Sequence, residues 1–145
     1  MHKVFKCLAV MIIFGIAAVS VSAEEITLPS NLRRIGESAF FGCSSLKAIS
    51  IPDSVTAIGA GAFMGCTKLA DIKLSSAVTS IEKWCFANCA AVQMIDLSNV
   101  EKIGTDAFFG CFELTSVKIS DKLVEIGNNA FLSCPKVFLN GTLSP

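Results

Sequence analysis

The chain has 145 residues, with 12 Lys and Arg against 12 Asp and Glu, seven Cys, one His and no Tyr. This balance, without any run of like charges, argues against nucleic acid or an anionic membrane surface as the partner. The single His is His2, so the rest of the chain lacks the commonest general base and metal ligand. We therefore expect no enzyme, no metal site and no cofactor.

Residues 1–23 have the pattern of a secretory signal peptide. A short basic start containing Lys3 and Lys6 precedes an apolar run over residues 8–21, and Val21-Ser22-Ala23 supplies small residues for cleavage after Ala23. The apolar run is shorter than the roughly 20 residues that cross a bilayer. We predict one domain over residues 24–145, with ten basic and 12 acidic residues and no integral membrane segment after cleavage. Its predicted location is secreted, periplasmic or cell-surface.

After residue 23 the chain consists of a repeat of about 23 residues. The phrase Ile-Gly-x-x-Ala-Phe-x-x-Cys, first seen from Ile35 to Cys43, returns with its Phe at positions separated by 23, 23, 22 and 23 residues: Phe40, Phe63, Phe86, Phe108 and Phe131. A fixed period of roughly 20–29 residues with apolar positions at constant offsets indicates stacked solenoid turns. Such an architecture favours an extended binding surface over a buried catalytic pocket.

Each unit opens with alternating apolar residues, which predicts a half-buried strand. These pairs are Ile26/Leu28, Ile49/Ile51, Ile72/Leu74, Ile95/Leu97 and Val117/Ile119. A polar turn follows, and then Ala-Phe-x-x-Cys-x-x-Leu, whose spacing predicts a short 3₁₀ or single-turn α segment. Gly42, Gly65, Asn88 and Gly110 share one column, which indicates a left-handed backbone. The predicted class is α/β leaning to β: a solenoid of about five turns with a parallel sheet.

The cysteines are interpreted as packing residues. Five of them occupy one column: Cys43, Cys66, Cys89, Cys111 and Cys134. A stacked column points its side chains in one direction, which is poor geometry for a disulfide torsion and spreads thiols too far for a metal. We predict a ladder of buried thiols. Cys85 stands where the other repeats have the Ala of the Ala-Phe pair. It is four residues from Cys89, so the two do not form a Cys-x-x-Cys motif.

The third repeat departs from the pattern in two places. Glu82 replaces the Gly of the other repeats, and Trp84 falls in a column of small or polar residues. Trp is enriched at interface hot spots, so Trp84 is a candidate binding anchor, with folding back over Lys83 as the alternative. The outward-facing strand positions carry further protein-binding candidates, set against a merely solvated sheet face: Asp71, Lys73, Asp96 and Lys118.

The sequence Leu46-x-x-Ile49-x-Ile51-Pro52, continued by Ile58-Gly59 and Ala62-Phe63-x-x-Cys66, resembles the BspA-type leucine-rich repeats of bacterial and some protist surface proteins. The resemblance runs from about Ile26 to Leu139. It implies a leucine-rich-repeat solenoid, secreted or surface-displayed, that binds host matrix proteins or other cells. The family associates no catalytic residues with the repeat.

Three functional hypotheses follow. The first is a protein-binding module, with adhesion to host matrix or cells as its setting. The second is a thiol redox protein that uses Cys85 and Cys89. The third is a vestigial repeat without a ligand, or a fragment of a longer array. Because no polar cap follows the last repeat, homodimerisation through an exposed end is a further hypothesis.

Overall fold

The computed structural model describes residues 24–140, so the predicted signal peptide over residues 1–23 lies outside the described residues. The described chain forms eleven short strands. They are β1 (Glu25–Thr27), β2 (Arg34–Ile35), β3 (Ala48–Ser50), β4 (Ala57–Ile58), β5 (Asp71–Lys73), β6 (Ser80–Ile81), β7 (Met94–Asp96), β8 (Lys102–Ile103), β9 (Ser116–Lys118), β10 (Glu125–Ile126) and β11 (Phe138–Asn140).

The odd-numbered strands pair in parallel, one from each repeat. Ile26 is in register with Ile49 and Ile49 with Ile72, and Ile95 is in register with Val117. The register follows from the sequence period, since a shift by one residue would expose the buried Ile or Val of every strand. The predicted parallel solenoid is therefore confirmed. β11 extends the ladder beyond Cys134 by pairing with β9, although the repeat phrase has degenerated there.

A second parallel ladder, made of the even-numbered strands, lies where the sequence indicated only a buried column. Arg34–Ile35 pairs with Ala57–Ile58, and β8 pairs with both β6 and β10. The buried Ile of the Ile-Gly phrase belongs to these two-residue strands.

The segment after the Ile-Gly phrase is not helical, so the predicted 3₁₀ or α turn is wrong in the described residues. Individual i to i+3 bonds do form, as from Cys43 N–H to the Phe40 carbonyl oxygen at 3.1 Å. Left-handed residues, such as Ser38 (φ 54°) and Gly42 (φ 68°), interrupt them in every repeat. The chain therefore forms successive tight turns, joined to the next repeat by bonds such as Phe40 N–H to the Ala62 carbonyl oxygen at 2.7 Å. The left-handed column of Gly42 is confirmed.

The core is a stack of equivalent side chains, at the centre of which lie the five Phe rings. Successive ring centroids are 5.1, 5.3, 5.5 and 5.3 Å apart, with interplanar angles of 12° or less. Phe63, Phe86 and Phe108 are completely buried. Burying one such ring contributes about 1.5–3 kcal/mol relative to leaving it in water.

One seam in this stack is open at two points. β4 and β6 belong to separate ladders, and so do β5 and β7. Both openings lie along the same turn-to-turn boundary, and between them the tight-turn bonds hold, including Phe63 N–H to the Cys85 carbonyl oxygen at 2.9 Å. We call this boundary the open seam; it runs from residues 57–58 against 80–81 to residues 72–74 against 95–97.

Glu82 explains the first opening. Gly59, Gly104 and Gly127 approach the preceding repeat so closely that a β-carbon on each would lie 2.4–2.6 Å from a backbone nitrogen. Each donates its N–H to the Ile of the preceding repeat, as Gly104 does to Ile81 at 2.7 Å. Glu82 has a β-carbon at this position, and in the described residues no such bond joins Glu82 to Ile58. A residue with a β-carbon cannot make the close approach that these glycines make, so we attribute the first opening to Glu82.

Candidate functional site

Two adjoining clefts lie on the exposed face of the odd-numbered strands, at the third repeat. One, of about 400 Å³, extends from β1 to β7 and is lined by Asp71 and Lys73 among others. The other, of about 500 Å³, lies against the open seam and is lined by Lys73, Asp96 and Lys118. The structure thus brings together four of the five residues that the sequence nominated. All four side chains are exposed, as the strand alternation predicted.

The clefts contain apolar as well as polar surface beside the open seam. Ile72 and Leu74 line the larger cleft and are only partly buried. Their counterparts one repeat later, Ile95 and Leu97, are 3% and 1% exposed. The amide of Leu97 donates to the Lys118 carbonyl oxygen at 2.8 Å, but in the described chain Leu74 makes no such bond to Asp96. Sequence reasoning missed Ile72 and Leu74, since both match the buried pattern of their columns.

The charges around the clefts are partly satisfied within the sheet. Lys118 Nζ lies 2.9 Å from Asp96 Oδ2, and the hydroxyl and amide of Ser98 donate to the other carboxylate oxygen of Asp96. The Ser98 hydroxyl, and then Lys118, holds the pKa of Asp96 below its ordinary value. Asp71 and Lys73 form no ion pair with any described residue. They are the charges available to a partner.

Trp84 lies away from the clefts and lines neither of them. Its indole Nε1–H donates to Asp106 Oδ2 at 3.1 Å, and Lys83 Nζ lies 4.9 Å from the ring centroid. The ring remains 43% exposed. Trp84 also has a φ of 56°, a left-handed conformation that a bulky residue rarely adopts. The column that sequence reasoning took as solvent-facing is thus also one that demands a positive φ.

The cysteine column joins neighbouring repeats through thiol hydrogen bonds. Each Sγ donates to the carbonyl oxygen of a Phe in the preceding repeat: Cys66 to Phe40, Cys89 to Phe63, Cys111 to Phe86 and Cys134 to Phe108, at 3.0–3.2 Å. All four are free, buried thiols, as predicted. The sequence did not predict this hydrogen bond between the thiol and a backbone carbonyl oxygen inside an apolar core.

Cys43 is the exception to the predicted ladder. Its side chain is buried like the rest of the column, but it is disulfide-bonded and is therefore not a free thiol. The interpretation of Cys43 as a buried thiol is therefore wrong.

The thiols do not have the properties of a redox pair. Cys85 and Cys89 are both completely buried, and burial raises the pKa of each above its ordinary value. Burial raises the pKa of Cys66 to about 12. A hydrogen bond with Cys134, together with burial, raises the pKa of Cys111. Reactive cysteines have low pKa values and accessible sulfur atoms, and Cys85 and Cys89 have neither.

Within residues 24–140, no group of three or more His, Cys, Asp or Glu side chains converges on a point where a metal ion would bind. No helix in that range is long and apolar enough to span a bilayer.

A parallel solenoid with one sheet face exposed and Leu or Ile at fixed columns defines a leucine-rich-repeat protein. The BspA-type leucine-rich-repeat family matches residues 18–137 in six copies. The chain belongs to this family. The six matched copies begin before residue 24 and continue to the region of β11.

Solved structures with the same fold include three from bacterial leucine-rich-repeat proteins. A leucine-rich cell surface protein of Faecalibacterium prausnitzii is 32% identical, with a TM-score of 0.80 over 86% of this chain and 34% of its own. A leucine-rich-repeat protein of Treponema pallidum is 33% identical, with a TM-score of 0.76 over 80% of this chain and 57% of its own. One from Bacteroides ovatus is 27% identical, with a TM-score of 0.69 over 83% and 36%. The chain thus spans between about a third and somewhat over half of these proteins. No curated protein matches it.

Proposed function

We propose that this protein is a secreted or surface-displayed repeat module that binds a protein partner through the face of its odd-numbered strands. Adhesion to host matrix or host cells is the proposed setting. Membership of the BspA-type family supports this, and so does the description of the Faecalibacterium prausnitzii protein as a cell surface protein. The predicted signal peptide over residues 1–23 is consistent with export. The proposal assigns no reaction and no cofactor.

One observation carries the proposal: two adjoining clefts are lined in part by the partly buried Ile72 and Leu74 and are surrounded by exposed charged residues, namely Asp71, Lys73, Asp96 and Lys118. Apolar surface with convergent polar groups is the usual composition of a recognition site. Trp84 contributes a separate, secondary contact surface, since its side chain is partly exposed beside Lys83.

Affinity capture from host matrix and cell extracts, with residues 24–145 as bait, tests the proposal. We expect a specific protein to be retained, and Lys73→Glu to abolish its retention. Lys68→Glu is the matched control, because Lys68 is exposed but lines neither cleft. Trp84→Ala measures the secondary surface. If the unchanged protein retains no partner, the vestigial-repeat hypothesis is favoured.

We further propose that the protein forms a homodimer through the end of the solenoid at β10 and β11. The last repeat leaves apolar side chains exposed that are buried in earlier repeats: Ile126 is 42% exposed against 1% for Ile103. Val124 and Phe138, in the same final part of the described chain, are 75% and 73% exposed. Sedimentation equilibrium should give a dimer mass that Ile126→Glu reduces to that of a monomer. A monomer at all concentrations would contradict this proposal.

A further inference from the structure

We infer that the open seam beside β5 is a docking site for an extended peptide segment of the partner, one that carries an apolar, an acidic and a basic side chain at alternate positions. The inference rests on the proposed function and specifies the chemistry of its ligand.

The seam provides a place for the apolar side chain. The larger cleft, of about 500 Å³, exposes Ile72 and Leu74, which the other repeats bury under the neighbouring strand. A peptide side chain that covers them removes apolar surface from water, at roughly 25 cal/mol per Å². The opening is local, because β7 and β9 close the same columns one repeat later.

The backbone of β5 lacks a hydrogen bond at the seam that its neighbours make. Ile51 N–H donates to the Lys73 carbonyl oxygen at 2.9 Å, and Leu97 N–H to that of Lys118 at 2.8 Å. In the described residues the corresponding bond from Leu74 N–H to Asp96 is missing. β7 nevertheless lies directly beside β5, so the ligand lies over the exposed face of β5 and reaches the seam with a side chain.

The charges select the other two side chains. Asp71 and Lys73 lie on the same exposed face of β5, two residues and therefore about 6.6 Å apart along the strand. Neither forms an ion pair with a described residue, whereas Lys118 is already paired with Asp96. A peptide lying along β5 has the same two-residue period. Its acidic side chain meets Lys73, its basic side chain meets Asp71, and its apolar side chain, on the Lys73 side, enters the seam.

Fluorescence anisotropy with labelled synthetic peptides tests this inference on residues 24–145. The probes are Gly-Leu-Thr-Asp-Thr-Lys-Gly and the same sequence in reverse order, since either chain direction satisfies the period. The matched control exchanges the Asp and the Lys and keeps the composition. We expect one of the two probes to bind with a Kd of about 0.1–1 mM, and the control at least tenfold more weakly. Replacing the peptide Leu by Ser should also weaken binding at least tenfold.

Charge reversal keeps the test independent of any loss of folding. The exposed double variant Asp71→Lys/Lys73→Asp should lose the probe and bind the exchanged control. Failure of both probes, or equal binding of probe and control, overturns the inference. If the probes fail while Lys73→Glu still abolishes capture of a whole protein, the sheet-face proposal stands and the peptide-docking inference alone is wrong.

Discussion

Gly104 lies so close to Lys83 that a β-carbon on residue 104 would be 2.6 Å from the Lys83 backbone nitrogen. The same close approach recurs at Gly59 and Gly127. It allows the Gly104 amide to reach the Ile81 carbonyl oxygen at 2.7 Å. The Gly of the Ile-Gly phrase therefore allows neighbouring turns to approach closely, and Glu82 in its place prevents that approach.

Gly104→Ala should lower the free energy of unfolding by about 2–3 kcal/mol, because the added methyl group must push two backbones apart. Gly36→Ala is the matched control: nothing lies within 4 Å of a β-carbon there, and we expect a change within about 0.5 kcal/mol. Urea unfolding monitored by circular dichroism measures both. Equal effects of the two substitutions would contradict the close-approach argument.

Glu82→Gly should close the first opening of the seam. Without the β-carbon, the amide of residue 82 is free to donate to the Ile58 carbonyl oxygen, as Gly59 donates to Ile35 at 2.8 Å. Hydrogen exchange should show increased protection of that amide, and of residues 80–81, relative to the unchanged protein. Lys83→Gly, one residue further along, is the control for added glycine flexibility. Unchanged exchange in Glu82→Gly would show that another contact holds the seam open.

Trp84→Gly should be more stable than Trp84→Ala by about 1 kcal/mol. Both variants lose the bond to Asp106 and the contact with Lys83, but only glycine adopts the φ of 56° without strain. Gly61 already occupies the equivalent position with a φ of 61°. Thermal unfolding of the two variants measures the difference. An alanine variant as stable as the glycine variant would mean that the backbone relaxes at this turn.

Stability should fall in alkaline solution, because thiols that are buried in the folded protein become exposed on unfolding and ionise there. The pKa of Cys66 is raised from 9.0 to about 12 in the folded protein. The contribution of the Cys66 thiol to the free energy of unfolding is therefore complete below pH 9. It is lost between about pH 9 and 12, at roughly 1.4 kcal/mol per pH unit. Urea unfolding at pH 8, 9 and 10 measures this slope, which Cys66→Ala should reduce. A slope unaffected by Cys66→Ala would contradict the assignment.

The same burial predicts slow reaction of Cys85 and Cys89 with a thiol reagent in native buffer at pH 8, and fast reaction in denaturant. Ser45→Cys provides an exposed reference thiol on the surface. Rapid native labelling of Cys85 or Cys89, identified by mass spectrometry, would restore the redox hypothesis.

The repeat architecture could be predicted almost completely, because a constant 23-residue period places identical side chains in the same environment five times. The stacked Phe rings and the parallel register of Ile26, Ile49 and Ile72 both follow from that period. The predicted helical turn was wrong because the apolar spacing does not report φ. Left-handed residues such as Ser38 break the helix, and Ser has no special preference that would have indicated it.

The candidate site was only partly accessible to sequence reasoning. Alternation along a strand showed that Asp71, Lys73, Asp96 and Lys118 face outward, but it gave no reason to expect Lys118 and Asp96 to pair with each other at 2.9 Å. It also counted Ile72 and Leu74 as buried. Their exposure depends on the separation of β5 from β7, which is a property of two turns 23 residues apart and not of either strand.

By itself, the sequence determined the solenoid, its register, its buried columns and the irregularity of the third repeat, since each is a pattern of residue types along the chain. Only the tertiary structure decided what that irregularity does. The backbone bond made by the equivalent glycines is absent at Glu82, and Trp84 has a left-handed backbone. Further along the same boundary, Ile72 and Leu74 are only partly buried. These outcomes depend on distances between neighbouring turns, which a sequence pattern does not record.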